Sequence, residues 1–232
     1  MSDKLGLDIP AQSNIVFSLS SDNVKNVPAP NTLRIPQNNT IIPTLENGCV
    51  IQSGSFYFDG VNDYIDCGNV LNFERTDSFS VSTWVNLDVT TGNGFIIAKE
   101  DSTSASRGWG IASSNGQISL ILRNNQATLN RLFIYLTTPL QVSNWYHVTV
   151  TYNGSSSASG VKIYVNGVSE SLTTLTDNLS GTIQNSVPLF IGARDIGNPS
   201  YFNGKIDEPT IWNKELSQQE VTQLYNALKD KY

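Results

Sequence analysis

Two carboxylates, Asp59 and Asp63, are the first residues whose type and spacing indicate chemistry; they lie in the stretch SFYFDGVNDYIDCGN. The arms of this stretch, Ser55–Phe58 and Asp63–Cys67, alternate in polarity, which is typical of strands with one buried face. The residues between the arms tolerate the backbone angles of a tight turn. The sequence therefore predicts a hairpin whose turn gives one rim of the fold an acidic, oxygen-rich corner.

Such a corner suits calcium, because this ion takes about six to eight oxygens from carboxylates, backbone carbonyls and waters. The alternative is that Asp59 accepts hydrogen bonds from its own turn and holds no ion. Zinc is not predicted, because one histidine and two distant cysteines offer no ligand cluster.

Hydrolysis of a glycosidic bond would need two carboxylates that face one cleft. The candidate strand reads KIDEP, where Asp207 and Glu208 are neighbours and Lys205, the alternate position, is not acidic. Neighbouring side chains of a regular strand point to opposite faces. His147 has no Ser–Asp set nearby, so we expect it to be a strand residue at the sheet surface. These residues predict a chain without catalytic activity.

Sugar recognition needs an aromatic face and planar polar side chains on a rigid rim. Two loops, DSTSASRGW and RDIGNPSYFN, carry such residues. The candidate glycan-binding residues are Arg107, Trp109, Arg194, Asn198 and Tyr201. For each aromatic among them, core packing is the competing interpretation, because aromatic side chains dominate protein cores.

Two cysteines, Cys49 and Cys67, flank the predicted hairpin. A turn that pairs Phe58 with Asp63 places Cys67 opposite residue 54 rather than residue 49. The offset of five residues, at about 3.4 Å each, exceeds the reach of a disulfide. We therefore predict two free, partly buried thiols.

Short strands are the elements that must position these residues. Alternating or apolar runs predict strands at Ile15–Leu19, Ser78–Leu87, Gly94–Lys99, Trp109–Ala112, Gln117–Arg123, Leu132–Leu136, Trp145–Asn153, Val161–Val165, Pro188–Gly192 and Lys205–Trp212. Asn166-Gly167 marks a two-residue hairpin. Turn signals recur about every 8–12 residues, which is typical of an antiparallel sandwich.

The Pro-containing stretch 22–48 interrupts this pattern. It predicts a long surface excursion, with one short strand at Thr40–Ile42. Residues 1–14 form a predicted N-terminal tail. The whole chain, 1–232, is expected to be a single domain.

The end of the chain predicts the only helix, over residues 217–230. Ser217 and Glu220 match a capping box. Leu216 and Val221 match a hydrophobic staple, and an apolar stripe follows at helical spacing. We expect this helix to dock on the edge of the sandwich as a closing cap.

Composition excludes several classes of partner. The chain has 232 residues, 15% of them charged, and a net charge of −6. Nucleic acid is not expected, because phosphate neutralisation needs clustered Lys and Arg. The sequence contains no run of about 18 apolar residues, so insertion into a membrane is not expected. No signal peptide is visible at the start, so either a signal has been removed or another route is used.

Four stretches together resemble the laminin-G-like, concanavalin-A-like jelly-roll family of sugar-binding and adhesion modules. They are IVFSLSSDN; SFYFDGVNDYIDCGN; FSVSTWVNL with NWYHVTVTYNGSSSASGVKIYVNGV; and LFIGARDIGNPSYFNGKIDEPTIWNKELSQQEVTQLY. The resemblance implies an all-β fold, a two-sheet antiparallel jelly-roll sandwich with a short C-terminal helix. It also implies binding loops along a rim or on the concave face.

The resemblance further implies a metal site. In family members that bind calcium, a carboxylate of the first motif and one of the last help to form the site. Asp59, Asp63 and Asp207 are therefore candidate ligands for a structural Ca²⁺, unless Asp207 only caps a strand end. The family usually has an aliphatic residue where Pro209 stands, so we expect an edge strand or a bulge there.

We predict a non-catalytic carbohydrate-binding or adhesion module, extracellular or on a virion surface, whose partner is a glycan or a protein surface. The alternative is a structural virion protein, such as a phage capsid decoration or a tail or fibre component. Such particles assemble in the cytoplasm without an export signal, and their components form closed oligomers or assemble on a partner. A glycoside hydrolase is the third hypothesis.

Overall fold

The computed structural model describes residues 12–24, 42–101, 103, 105–195, 197 and 200–232. Within these residues the chain is built mainly of short strands. They are β1 (Ile15–Ser18), β2 (Thr44–Glu46), β3 (Val50–Gln52), β4 (Ser55–Asp59), β5 (Tyr64–Asp66), β6 (Phe79–Leu87), β7 (Asn93–Glu100), β8 (Gly108–Ser114), β9 (Gln117–Asn125), β10 (Asn130–Leu136), β11 (Trp145–Tyr152), β12 (Val161–Val165), β13 (Val168–Ser169), β14 (Leu172–Asp177), β15 (Phe190–Ile191) and β16 (Asn203–Trp212). One helix, α1 (Gln218–Leu228), follows them.

The described strands form two antiparallel sheets. Sheet A has the order β13-β12-β11-β6-β16-β4-β3, with β1 also paired to β16. Sheet B has the order β14-β10-β9-β8-β7-β15-β5-β2. This arrangement confirms the predicted all-β jelly-roll sandwich with a short C-terminal helix.

Alternation along each strand places the core between the sheets. On β6, Phe79, Val81 and Val85 belong to the core, while Ser82 and Trp84 point to the outer face. The same alternation along β9 buries Ile118, Leu120 and Leu122 and turns Arg123 outward. The fold therefore has an inner core and two outer faces that differ in what they present.

The prediction that Ser55–Phe58 and Asp63–Cys67 pair as a hairpin is wrong. Strand β4 pairs with β3 and β16 in sheet A, whereas β5 pairs with β2 and β15 in sheet B. The turn Asp59–Asp63 is therefore an arch that joins the two sheets. Alternation shows which face of a strand is buried but not which strand is its partner, so it misassigned the pairing.

The arch also changes the geometry of the cysteines. Cys49 lies just before β3 of sheet A, and Cys67 lies just after β5 of sheet B. Both thiols are free, as predicted, but both are buried in the core rather than partly buried. Burial raises the pKa of both thiols.

Strand β16 contains a bulge where the sequence places Pro209. Its register with β6 shifts between Asp207 and Thr210, and Glu208 has a φ of 52°. The bulge confirms the expected irregularity, although β16 lies inside sheet A rather than at an edge. Lys231 Nζ lies 2.9 Å from Asp207 Oδ2 and 3.0 Å from Glu208 Oε1. Both carboxylates therefore reach one side of the sheet, and the prediction of opposite faces is wrong.

The C-terminal helix is capped as predicted. Glu220 N donates to Ser217 Oγ, and Ser217 N donates to Glu220 Oε2, which completes the capping box. A short 3₁₀ turn, Lys229–Lys231, extends the helix.

The helix packs across the outer face of sheet A rather than only at the sandwich edge. Val221 and Leu224 bury against Tyr164 of β12 and Trp212 of β16. Two strands, β11 and β6, lie between β12 and β16 in the sheet. The prediction that the helix docks at the edge is therefore wrong. Apolar side chains on the outer face of sheet A let the helix pack across several strands.

Much of the predicted excursion 22–48 and tail 1–14 falls outside the described residues, as do Thr40 and Ile41 of the predicted short strand. Ile42 is not in a strand, and Thr44–Glu46 forms β2, which pairs with β5. In the described part of the chain, no helix has the length and apolar character needed to cross a membrane.

Candidate functional site

A cleft of about 270 Å³ opens at one end of the sandwich, beside the arch. We call it the rim cleft. Its lining residues are Gly60, Leu87, Val89, Thr90, Thr91, Gly92, Asn93, Gly94, Ser113, Tyr201, Phe202 and Asn203. They come from the arch, from the loop between β6 and β7 with the adjoining strand ends, from β8, and from the start of β16 with the segment before it. Segments distant in sequence thus meet at one site.

Backbone contacts hold the walls of the rim cleft together. Phe95 N donates to Ser200 O at 3.2 Å, and Ser200 Oγ donates to Asn93 O at 2.6 Å. A Cβ atom at Gly94 would lie 2.7 Å from Phe202 Cα, so only glycine allows this close approach. The cleft is therefore a built feature of the fold.

The lining of the rim cleft is neutral. Its polar groups are hydroxyls and amides, including those of Thr90, Asn93, Tyr201 and Asn203, and no charged side chain is among its residues. Val89 adds an apolar side chain that is 42% exposed. Such a surface can donate hydrogen bonds to a polar ligand and accept them from it.

The two arch carboxylates lie next to the rim cleft and accept hydrogen bonds from backbone N–H groups of the arch. Asp63 Oδ2 accepts from Asp59 N at 3.0 Å, and Asp59 Oδ1 accepts from Val61 N at 2.8 Å. Burial raises the pKa of Asp63, although the bond from Asp59 N opposes this shift. Burial and the negative charges of Asp88, Asp59 and Asp63 raise the pKa of the nearby Tyr57. The predicted acidic corner is present.

Asp207 does not join this corner. In the register of β16 with β4, Asn203 pairs with Asp59, and Asp207 lies four residues further along the strand. At about 3.3 Å per residue, this separation is about 13 Å. No group of three metal-ligating side chains converges within the described residues. The expectation that Asp59 and Asp207 share one ion is therefore wrong.

The carboxylate of Asp207 is instead fully engaged in a buried network beneath the C-terminal turn. It accepts from Ser21 N at 3.0 Å, from Lys231 Nζ at 2.9 Å and from Tyr232 Oη at 2.6 Å. Burial alone would lower the pKa of Lys231, but the bonds and charges of Asp207 and Glu208 raise it. Burial, followed by the charge of Asp207, raises the pKa of Glu208.

Trp109, a predicted glycan ligand, is a core residue. It is 1% exposed, its Nε1 donates to Leu71 O at 3.2 Å, and its ring packs against Phe73 and Phe79. The glycan-binding prediction is wrong for this residue. The signal was available, because Trp109 alternates with Gly108 and Gly110 and shares a face with the core residue Ile111.

The other glycan candidates lie in different places. Tyr201 is half-buried and lines the rim cleft. Arg107 Nε lies 3.5 Å from Asn124 O, outside the cleft lining. Arg194 pairs with Glu100 on the outer face of sheet B. Asn198 falls outside the described residues. The structure thus brings one predicted glycan residue, Tyr201, to the rim cleft.

His147 is buried rather than at the sheet surface. It lies on the outer face of sheet A, where Trp84 of β6 and Tyr225 of α1 pack against it. Its Nε2 lies 2.7 Å from Ser82 Oγ. Burial lowers its pKa to about 3. The expectation of an exposed strand residue failed because the covering helix comes from a distant part of the chain.

This fold corresponds to a known family. The chain belongs to the concanavalin A-like lectin/glucanases superfamily, whose laminin-G-type model matches residues 58–222.

Two curated relatives share part of the sequence. The chain is 26% identical over 159 residues to botulinum neurotoxin type X of Clostridium botulinum, covering 67% of this chain and 11% of the toxin. It is 31% identical over 134 residues to adhesion G-protein coupled receptor D1 of Homo sapiens, covering 55% of this chain and 14% of the receptor. The chain therefore spans only a small fraction of these relatives.

Among solved structures, the sialidase of Trypanosoma rangeli in complex with 2,3-difluorosialic acid superposes with a TM-score of 0.68. It is 16% identical, and the match covers 96% of this chain and 34% of the sialidase. At this identity the likeness shows the shared fold alone.

Proposed function

We propose that this chain is a non-catalytic carbohydrate-binding module that recognises surface glycans through the rim cleft. The observation that carries this proposal is the cleft of about 270 Å³, lined by hydroxyl and amide groups and by Tyr201, with no charged side chain in its lining. Concave sites with a few placed polar groups and an aromatic side chain are the usual form of small-ligand sites. An uncharged sugar unit is the ligand that this lining fits.

The family and one relative support a recognition role. The superfamily description includes lectins, and the human relative is an adhesion receptor. A module of this kind would act outside a cell or on a particle surface. Its partner would be a glycan, either free or carried by a surface protein.

The placement of the carboxylates supports a role without catalysis. Glycoside hydrolysis needs two carboxyl groups that reach a bound sugar, and no carboxylate lines the rim cleft. Asp207 and Glu208 share one side of β16, but Asp207 is fully buried and Lys231 lies against both. These carboxylates are engaged in holding the C-terminal turn.

A glycan array followed by titration calorimetry tests this proposal. The purified chain should bind at least one neutral glycan, and Tyr201→Ala should weaken that binding by about tenfold or more, since a lost ring contact of about 1.4 kcal/mol is tenfold in affinity. Tyr135→Ala is the matched control, because Tyr135 is a half-buried tyrosine on β10 outside the cleft.

Absence of binding to every neutral glycan on the array would refute the proposal. Equal losses in the two tyrosine variants would also count against it, because they would indicate general destabilisation. Product analysis by mass spectrometry after prolonged incubation should recover the bound glycan unchanged, and a cleaved product would establish catalysis.

A further inference from the structure

The C-terminal segment, residues 229–232, contacts the outer face of sheet A through the side chains of Lys231 and Tyr232. The ring of Tyr232 stacks on Trp84 of β6, with ring centroids 4.3 Å apart, and lies 4.7 Å from the ring of Trp145 of β11. Lys231 Nζ lies 3.2 Å from Asp22 Oδ2 and reaches both carboxylates of the β16 bulge. We call the surface beneath these two side chains the socket; it consists of Asp22, Trp84, Trp145, Asp207 and Glu208.

Strand pairing positions the aromatic wall of the socket. Trp145 of β11 lies opposite Asn86 of β6, and Asn86 is two residues from Trp84 on the same strand. Side chains opposite each other, or two residues apart along a strand, share one face of a sheet. Both indoles therefore lie on the outer face of sheet A because of the register of β6 and β11. Indole rings stack on other aromatic rings and attract cations to their faces.

The bulge of β16 positions the acidic wall of the socket. It brings Asp207 and Glu208 to one side of the sheet and holds Glu208 at a φ of 52°. Backbone strain of this kind at a residue other than glycine is concentrated at binding sites and switch regions. Ser21 N donates to Asp207 Oδ1 at 3.0 Å, and Ser20 Oγ donates to Glu208 Oε1 at 2.8 Å. Contacts outside the C-terminal segment thus also hold both carboxylates in place.

The bulge carries more negative charge than the C-terminal segment neutralises. Within the described residues, Lys231 is the cation that contacts Asp207 and Glu208. The side chain of Asp207 is fully buried and that of Glu208 is 10% exposed, so water screens the pair little. A buried charge without a matching partner is unfavourable. A segment with a second basic side chain would therefore match the charge of the socket better.

Displacement of the C-terminal segment is the route by which a ligand reaches the socket. Lys229 and Asp230 are exposed, so the segment is anchored by its last two side chains. The apolar contacts that dock α1 on sheet A, those of Val221 and Leu224, lie outside the segment. Movement of residues 229–232 away from the sheet would thus open the socket to solvent and leave the helix docked.

We propose that the socket binds a segment of a partner protein in which basic side chains flank an aromatic one, and that the C-terminal segment covers the socket until this partner displaces it. The partner's aromatic ring takes the place of Tyr232 against the two indoles, and its basic side chains pair with the carboxylates. The C-terminal segment is tethered, so its effective concentration at the socket is about millimolar. A partner must therefore bind more tightly than a free copy of that segment, and a second positive charge favours this. The proposal does not rest on glycan binding at the rim cleft.

Titration calorimetry with blocked tetrapeptides tests the proposal on a variant that ends at Leu228 and so lacks the covering segment. KKKY carries the ring and three basic residues, KDKY repeats the C-terminal segment, and KKKA lacks the ring. KKKY should bind this variant, and the other two should bind at least about tenfold more weakly, since a lost contact of about 1.4 kcal/mol is tenfold in affinity. Wild type should also bind KKKY at least about tenfold more weakly than the variant, because its socket is covered.

Two of these comparisons can overturn the assignment of the ligand. If KKKA binds as tightly as KKKY, the socket takes cations alone and the aromatic residue has no part in recognition. If KDKY binds as tightly as KKKY, the second positive charge is not recognised. Absence of KKKY binding to the folded variant, with folding shown by circular dichroism and cooperative urea unfolding, would overturn the whole proposal.

Point variants of the full chain decide the question if the shortened chain does not fold. Lys231→Ala and Tyr232→Ala each remove one anchor, so each should bind KKKY about tenfold more tightly than wild type. Lys229→Ala is the matched control, because Lys229 lies in the same turn and forms no ion pair with the socket in the described part of the chain. If neither anchor variant folds, or neither gains affinity, the C-terminal segment is an integral part of the fold and the proposal is overturned.

A further pair of variants separates the socket from general attraction between a basic peptide and an acidic protein. In the shortened chain, Glu208→Gln should weaken binding of KKKY by about tenfold or more. Glu46→Gln, on β2 of sheet B, should leave the affinity unchanged. Equal losses in the two variants would overturn the assignment to the socket. Tyr201→Ala should also leave KKKY binding intact, so this proposal and that for the rim cleft fail separately.

A second copy of this chain is the other candidate occupant, because its C-terminal segment has the chemistry that the socket already holds. Sedimentation equilibrium of wild type and Tyr232→Ala distinguishes the two occupants. We expect both to be monomers. A wild-type dimer that Tyr232→Ala abolishes would assign the socket to the C-terminal segment of a second copy and overturn the assignment to a partner protein.

Discussion

A single buried histidine shows how the surroundings of one residue determine its behaviour. His147 lies under the C-terminal helix, and burial lowers its pKa from 6.5 to about 3. Its ring nitrogen Nε2 lies 2.7 Å from Ser82 Oγ. The side chain is therefore neutral in the folded protein at physiological pH.

This neutral state predicts a loss of stability in acid. In the unfolded chain His147 binds a proton near pH 6.5, whereas in the folded chain it does so only near pH 3. The free energy of unfolding should therefore fall as the pH drops from 6.5 towards 3. At pH 4.5 this group should account for a loss of about 2–3 kcal/mol relative to pH 7.

Urea unfolding at pH 7 and pH 4.5 measures this loss. His147→Gln retains an amide that can bond Ser82 and does not titrate, so this variant should lose less stability between the two pH values than the wild type. The carboxylates titrate in both proteins and cancel in the comparison. Equal losses would show that His147 is not buried in solution.

The sequence predicted the N-terminus of the helix that covers His147 correctly. The capping box at Ser217 is local, because its partners are three residues apart. Ser217→Ala should lower the free energy of unfolding by about 1 kcal/mol, the usual cost of a lost N-cap. Thermal and urea unfolding measure it, and Ser159→Ala, in an exposed loop, is a control. An unchanged stability would mean that the helix is not docked on sheet A.

Calcium binding by the arch between β4 and β5 is a proposal. Asp59 and Asp63 would supply carboxylate oxygens, and Asp63 Oδ1 is buried without a protein partner among the described residues. Backbone carbonyls and waters would complete the ligand set, so we expect a weak site with a dissociation constant of about 10⁻⁴–10⁻³ M.

Thermal unfolding in calcium and in chelator tests the arch. Millimolar Ca²⁺ should raise the melting temperature of the wild type, because a ligand that binds only the folded state stabilises it. Asp59→Asn should abolish this increase, and Asp207→Asn should retain it. Identical melting curves in calcium and chelator, on metal-free protein, would mean that backbone N–H groups alone satisfy the arch carboxylates.

Strand alternation predicted much of the fold at the level of elements. The clear patterns of β6 and β11 gave their bounds to within one residue. The short strands β2 and β3 and the largely exposed β14 have no such pattern and were missed. The exchange of partners at the arch was also missed, because pairing depends on contacts with β15 and β16 more than a hundred residues later.

The sites were harder to predict than the fold for the same reason. Tyr201 reaches the rim cleft because the segment before β16 packs on the loop between β6 and β7. Residue type alone identified candidates, but their positions depend on register and on distant contacts.

At the scale of the whole molecule, the sandwich has one outer face that a helix covers and one end that opens as a cleft. The outer face of sheet A is covered by α1 and by the C-terminal turn, where Trp84 stacks on Tyr232. The rim cleft opens at the end of the sandwich, between the arch and the loops. The proposed recognition therefore lies at the rim, and α1 with the C-terminal turn closes the fold over sheet A.

The hypothesis of a structural virion protein also concerns the whole molecule, and it stays a prediction. A component of a particle should form closed oligomers or require a partner surface, whereas an isolated lectin module should be a monomer. Sedimentation equilibrium of the purified chain distinguishes the two. A monomer over the micromolar range is the result that a glycan-binding module predicts.

Nuclear magnetic resonance titration of the isotopically labelled chain tests the central claim most directly. The probe is the neutral glycan that binds most tightly on the array. We predict that shifted amide signals cluster in the residues around the rim cleft, at 59–61, 88–94 and 201–203, while signals of α1 stay in place. Shifts confined to other surfaces, or no shifts at saturating glycan, would contradict the assignment of glycan recognition to the rim cleft.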